Sequence, residues 1–322
     1  MARRSAATLT LLPLALAVAA CGDDGTSAAA GGDGPRVAVT TDVLGDVVSD
    51  LVGDLADVEV IMTAGSDPHA FQASPQQVRA LRDADAVIAN GAGFEEGLID
   101  PVEAAEEDGV PTYEAVGAVE TLELGESAED HADDEEEGDE HGHDGVDPHF
   151  FTDPARMASA ARGIADFLAA EVPDLDTQAF ESQAAATVEE LRALDAEVEQ
   201  TLSAVPADRR VLVTNHEVFG YFAERYGFEV VGAVIPSGTT QAEPGAAELD
   251  RLAGVIEERG VPAIFVEASS PTRLADALAD EVGEVQVIEL FTESLGPDGS
   301  GGETYAGMMR SNAKRIAEAL AR

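Results

Sequence analysis

The chain has six histidines in 322 residues, His69, His131, His141, His143, His149 and His216. Imidazole is the commonest side-chain ligand of a borderline metal, so their placement is the first chemical question the sequence poses. His69 stands in GSDPHAF after the strand-like VEVIMT, His149 in DPHFFTDP, and His216 in VLVTNHEVFGYF, directly after a run of strand residues. All three read as lying at the end of a strand or in the turn after it, where ligand crevices form in parallel α/β sheets. His69 and His149 share Asp-Pro-His; proline fixes its own φ and restricts the residue before it, so each imidazole is presented on a stiff turn. One such residue alone reads as a surface or hydrogen-bonded histidine. Three at equivalent topological positions read as a metal site, and that set wants a fourth donor, a carboxylate or water. Glu293, in VQVIELFTESLGP, follows the last strand-like run and can face the same cleft, or is a solvated loop acid.

The charge balance fits cations better than polyanions. There are 64 acidic residues against 18 basic ones, a formal charge of −46, and Lys314 is the lone lysine. Phosphate neutralisation needs clustered Lys and Arg, so a nucleic-acid partner is excluded. A field of this sign attracts cations, and it also serves solubility or salt adaptation. The 45% apolar content and the length allow two domains with cores of their own.

The N-terminus reads as an export signal over residues 1–20: Arg3 and Arg4 precede the apolar ATLTLLPLALAVAA, and small residues lead to Cys21. Pro13 and the shortness of the run argue against a spanning helix. Cys21 is the only cysteine, so no intrachain disulfide can form. Val18-Ala19-Ala20-Cys21 resembles the lipobox of bacterial lipoproteins, which implies diacylation at Cys21 and an extracytoplasmic protein held on the membrane; a free thiol is the other reading. Residues 21–35, GDDGTSAAAGGDGP and its flanks, have the composition of a flexible tether.

The elements that must position the histidines follow a βα rhythm. RVAVTT (36–41) and VEVIMT (58–63) have strand composition, with helical spacing in DVLGDVVSDLVGD (42–54) between them. Ser74 with Pro75 and Gln77 marks a capped helix start before the buried-looking strand DAVIANG (85–91). From Asp174 to Val205 the chain runs without Gly or internal Pro, long enough as a helix to bridge two lobes. The rhythm restarts in RRVLVTNH (209–216), EVVGAVI (229–235), PAIFVEA (262–268) and VQVIEL (285–290). The expected fold class is therefore α/β, with a parallel-sheet lobe over 36–172 interrupted by the acidic loop 126–146, a linking helix over 173–206 and a second lobe over 207–322.

The lipobox, DPHAFQASPQQVRALRDADAVIANGAGFE, DPHFFTDP, VTNHEVFGYFAERYG and LFTESLG…ETYAGMMRSNAKRI come in one order, and as a set they resemble the zinc and manganese ABC-transporter binding lipoproteins of the ZnuA/TroA-like cluster. The resemblance covers nearly all of residues 36–322. It implies two Rossmann-like lobes joined by one long rigid helix, with a metal held between them by His69 and His149 from the first lobe and His216 and Glu293 from the second. It implies Zn2+ carried as cargo, with Mn2+ the alternative, delivery to an ABC permease and its ATPase, membrane attachment through Cys21, and a monomer. Manganese-favouring relatives often have a carboxylate where this chain has His216, and three imidazoles with one carboxylate suit zinc better than an oxygen-rich set. The chain departs from the pattern at Thr292-Glu293-Ser294, where many relatives have Asp as the ligand. Glutamate is one methylene longer and can still reach, through one oxygen or both, with Glu217 as the second candidate carboxylate. Zinc-specialised relatives often carry a His-rich acidic loop where EDHADDEEEGDEHGHDG falls. His131, His141 and His143 there can gather zinc weakly, because a segment that must order on binding gives up affinity; a solvated linker is the alternative.

Two other functions use the same residues. Three histidines and a water would suit a zinc hydrolase or lyase, although no nucleophile or general-base motif accompanies them. A surface adhesin or extracellular zinc buffer would need the site without a transport partner.

Overall fold

The computed structural model describes residues 34–124, 145–283 and 285–321. The expected signal segment, Cys21, most of the expected tether, and His131, His141 and His143 lie outside them.

The first lobe contains β1 (Arg36–Val39), α1 (Asp42–Val52), β2 (Asp57–Val60), α2 (Pro75–Arg82), β3 (Ala86–Ala89), α3 (Ile99–Glu107) and β4 (Thr112–Glu114). Helices α4 (Pro154–Glu171) and α5 (Gln178–Leu202) follow. The second lobe contains β5 (Val211–Thr214), α6 (Gly220–Tyr226), β6 (Glu229–Ala233), α7 (Ala246–Arg259), β7 (Ala263–Glu267), α8 (Arg273–Val282), β8 (Gln286–Leu290) and α9 (Tyr305–Leu320). Each lobe has a four-stranded parallel sheet, ordered β2-β1-β3-β4 and β6-β5-β7-β8. The two orders are the same, so one topology occurs twice, in agreement with the expected α/β fold of two parallel-sheet lobes. Strands β3 and β7 are buried along their whole length while the edge strand β2 alternates, as helices on both faces of a parallel sheet require.

Local chemistry sets the helix boundaries. Ser74 and Gln77 form the expected capping box on α2, with Pro75 in its first turn. Helix α5 is shorter than the continuous stretch expected from Asp174 to Val205. A single 3-10 turn occupies Pro173–Leu175, and Thr177 then caps the helix by accepting from the Phe180 amide. An uninterrupted polar-apolar pattern cannot reveal that break, because the threonine hydroxyl competes for the backbone only where the chain turns. What is left, 25 residues, spans about 38 Å.

This helix is the spine of the protein. Phe180, Leu191, Leu194 and Val198 on α5 belong to one continuous apolar core with Val39, Leu44 and Ile164 of the first lobe side and Phe222, Phe265 and Met308 of the second. Smaller clusters cover the outer faces of the sheets, around Ile61, Leu81 and Val87 in one lobe and Leu252, Ile264 and Leu278 in the other. Asp195 on α5 also accepts from the Arg225 guanidinium and from Tyr226 Oη at 3.1 Å, fastening α6 to the spine. Among the described residues no helix is long and apolar enough to cross a membrane.

Candidate metal centre

The carboxyl ends of both sheets open toward the same place. His69 lies in the loop after β2, His216 two residues beyond β5, and Glu293 three beyond β8. His149 departs from the expected position: it follows no strand, but precedes the 3-10 turn Phe150–Thr152 that leads into α4. An isolated bridge between Glu123 and Val146 brings the chain to it.

The two Asp-Pro-His turns work in the same way. Asp67 Oδ1 accepts from the His69 amide at 2.9 Å, and Asp147 Oδ1 accepts from the His149 amide at 2.9 Å. Each aspartate thus closes a side-chain turn around its proline and fixes the backbone of the histidine two residues on. Asp147 Oδ1 also lies 2.7 Å from His149 Nδ1, so one oxygen sets both backbone and ring. Tyr221 Oη donates to the Asp147 carbonyl at 2.6 Å, and a Cβ on Gly220 would stand 2.7 Å from Asp147 Oδ2, which explains glycine at the start of α6.

The side chains of His69, His149, His216 and Glu293 are buried, and their donor atoms lie within 4.8 Å of one another. The Nε2 atoms of the three imidazoles stand 2.9, 3.1 and 3.1 Å from Glu293 Oε1. These separations are close to the edge of a zinc coordination tetrahedron, about 3.3 Å for ligand bonds near 2.05 Å. Glu293 Oε2 is buried with no hydrogen-bond partner. A buried carboxylate oxygen without a donor is costly, and a cation held through both oxygens would satisfy it.

Each ring has an acidic partner on its other nitrogen. His69 Nδ1 is 3.2 Å from Glu96 Oε1, His149 Nδ1 is 2.7 Å from Asp147, and His216 Nδ1 is 3.3 Å from Glu267 Oε1, the last too poorly aligned for a hydrogen bond. Glu96 and Asp147 are placed to accept from Nδ1 of His69 and His149 and so to point Nε2 at the centre, as in carboxylate-histidine-metal arrangements, while Glu267 acts on His216 through its charge alone. Phe94 stands edge-on to His69 and His149 at 5.4 and 5.6 Å, keeping that side apolar.

The charges are strongly interdependent. Burial lowers the His149 pKa, but the charge and hydrogen bond of Asp147, and then of Glu293, outweigh it and hold the ring up at about 9. Burial likewise opposes protonation of His69 and His216; Glu293 outweighs it at His69, and Glu267 and Glu293 do so at His216, so both are raised. Burial pushes Glu293 up, yet the His216 charge and the three imidazole contacts hold it well below the usual carboxylate range. Glu267, buried beside the Glu293 charge, is pushed up.

The residues flanking Glu293 tie it to both lobes. Thr292 Oγ1 donates to Glu267 Oε1 at 2.9 Å, while Ser294 Oγ donates to Asp42 Oδ2 at 2.8 Å and accepts from the Gly65 amide at 2.6 Å. Asn312, buried on α9, clasps the Phe291 backbone through both amide atoms, at 3.0 and 2.5 Å. Glu217 is not among the converging atoms; burial, then the Asp147 charge, push its carboxyl up. Sequence reasoning missed Glu96, Glu267 and Asn312. Glu267 had a usable signal, an acid ending the otherwise apolar strand AIFVE.

Two like α/β lobes on a shared helical spine, with a buried imidazole-carboxylate cluster between their sheet ends, define an interlobe binding protein. The model of the ZnuA family, zinc-uptake complex component A, periplasmic, matches residues 37–319, and the chain belongs to that family. It is similar to the manganese-binding lipoprotein MntA of Halalkalibacterium halodurans, 28% identical over 313 residues and 97% of each chain. It is also similar to the zinc-binding protein TroA of Treponema pallidum, 32% identical over 305 residues and 92% of each. The solved structure of the periplasmic zinc-binding TroA from that organism matches with a TM-score of 0.77 and 30% identity, over 90% of this chain and 100% of that one.

Proposed function

We propose that the protein is the extracytoplasmic metal-binding component of an ABC importer, which captures one Zn2+ as cargo with His69, His149, His216 and Glu293 and passes it to a membrane permease driven by its ATPase. The observation that carries this reading is the convergence of three Nε2 atoms on one buried carboxylate whose second oxygen has no partner. Three nitrogens and a carboxylate favour zinc over manganese, which prefers oxygen-rich sets. Four protein ligands leave no open coordination position, as suits a carrier. The ZnuA family is a metal-uptake component and not an enzyme.

In this reading the lobes, 36–172 and 207–322, face each other across the linking segment 173–206. A diacyl anchor on Cys21 keeps the monomer at the extracytoplasmic face of the cell membrane, and His131, His141 and His143 collect zinc weakly. Cys21→Ser should move the protein from the membrane fraction to the soluble one; retention at the membrane would sink the anchor. Deleting 129–145 should remove weak zinc sites and leave the tight one.

The central test is a competition titration of the metal-free mature chain with zinc and with manganese, beside His216→Ala. One tight zinc site that the variant loses is the expected result. Manganese preference, or a variant that binds like the parent, would overturn the assignment. A zinc-dependent growth defect on gene deletion, relieved by excess zinc, separates import from adhesion or buffering.

A further inference from the structure

Between β6 and α7 the stretch PSGTTQAEPG, residues 236–245, runs without regular secondary structure and without a single buried residue. It is nevertheless fastened across the cleft. Thr239 Oγ1 donates to Glu96 Oε1 at 2.7 Å, and Thr240 Oγ1 donates to Asp67 Oδ2 at 2.8 Å. Both acceptors belong to the opposite lobe, and both hold His69. Glu96 Oε1 is the same atom that lies 3.2 Å from His69 Nδ1, and the other oxygen of Asp67 accepts the His69 amide. For His216 the arrangement differs, because its acidic neighbour Glu267 is bonded by Thr292 and Ser270 of its own lobe.

The Glu96 side chain is 40% exposed, against 1% for Glu267. A long exposed carboxylate keeps its rotamer freedom unless a second partner fixes it, and an orienting group that wanders no longer fixes the ring it faces. Thr239 is that second partner. A loop with no buried residue that is held across the cleft by side-chain bonds can lift from the opposite lobe at low cost, since no apolar core has to separate.

We propose that Thr239 and Thr240 form a latch: seated, they fix Glu96 and Asp67, and through them the ring of His69, so that unseating of residues 236–245 sets how fast the bound ion leaves. Thr239 and Thr240 are positioning residues that touch no ion themselves. The inference rests on the reading of the four-residue centre as the cargo site.

The test is stopped-flow release of zinc from the loaded mature chain into excess chelator, with association rates measured in parallel, for the parent, T239V, T239S, T240V and E96A. Loss of one hydroxyl-to-carboxylate hydrogen bond should speed release about tenfold in T239V. Association should be unchanged, and T239S, which keeps the hydroxyl, should release like the parent. In the E96A background T239V should add almost nothing, because Thr239 acts through Glu96. Release from T239V at the parent rate, or an equal acceleration with and without Glu96, overturns the latch alone. A parent chain with no tight zinc site overturns the cargo reading, and the latch with it.

Discussion

At the scale of residues, the candidate centre depends as much on the acids behind the rings as on the rings. Replacing Glu267 by Gln removes the charge beside His216 Nδ1 without shortening the side chain. Zinc affinity should fall about 10- to 100-fold with the stoichiometry kept at one, as read by competition titration; an unchanged affinity would mean His216 is oriented by packing alone. Protons compete for the same nitrogens. His149 holds its proton up to about pH 9, so zinc must displace that proton at neutral pH, and His69 and His216 are raised in the same direction. Affinity should therefore fall steadily as pH drops below about 9, with proton release on binding seen by calorimetry in buffers of different ionisation enthalpy. The stability of the metal-free chain has the opposite sign. A histidine raised above its unfolded value of about 6.5 stabilises fully below that pH, and the contribution disappears as pH rises through its folded pKa. The metal-free melting temperature should thus decline toward about pH 9, and a rise over that interval would contradict the protonated ring.

At the scale of elements, each ligand sits in a short connection, and helices from elsewhere hold the connections still. Asn312→Ala would leave both the amide and the carbonyl of Phe291 without the partner supplied by α9. It should cost about 2–4 kcal/mol in denaturant unfolding and also weaken zinc binding, because Glu293 lies two residues away. Ser74→Ala, which removes the cap of α2, should cost about 1 kcal/mol and leave zinc affinity alone. If both variants weakened zinc equally, the link from α9 to Glu293 would be no more than general destabilisation.

At the scale of the molecule, two sheets with separate outer clusters share one inner core along α5. A core continuous through both lobes couples their unfolding, so calorimetry of the mature chain should give one transition, and two separated transitions would contradict that coupling. Zinc at about 100 times its dissociation constant should add about 2.7 kcal/mol to that stability. Loop 236–245 lies outside that core, and its threonine hydrogen bonds reach across the cleft.

Much of this was legible in the sequence for local reasons. Alternating βα segments give parallel sheets whatever their order, Ser74-Pro75-Gln77 carries its own capping instructions, and Asp-Pro-His specifies a turn through contacts two residues apart. The departure of Glu293 from aspartate was visible too. Tertiary structure alone decided that His149 reaches the centre from a helix entry instead of a strand end, and that Glu293 turns one oxygen to three imidazoles separated from it by 224, 144 and 77 residues. It also decided the roles of Glu96, Glu267, Asn312 and the two threonines. Such contacts leave no period or spacing in the chain: a hydrogen bond between distant residues is set by how the lobes pack, and packing is decided by the whole core at once.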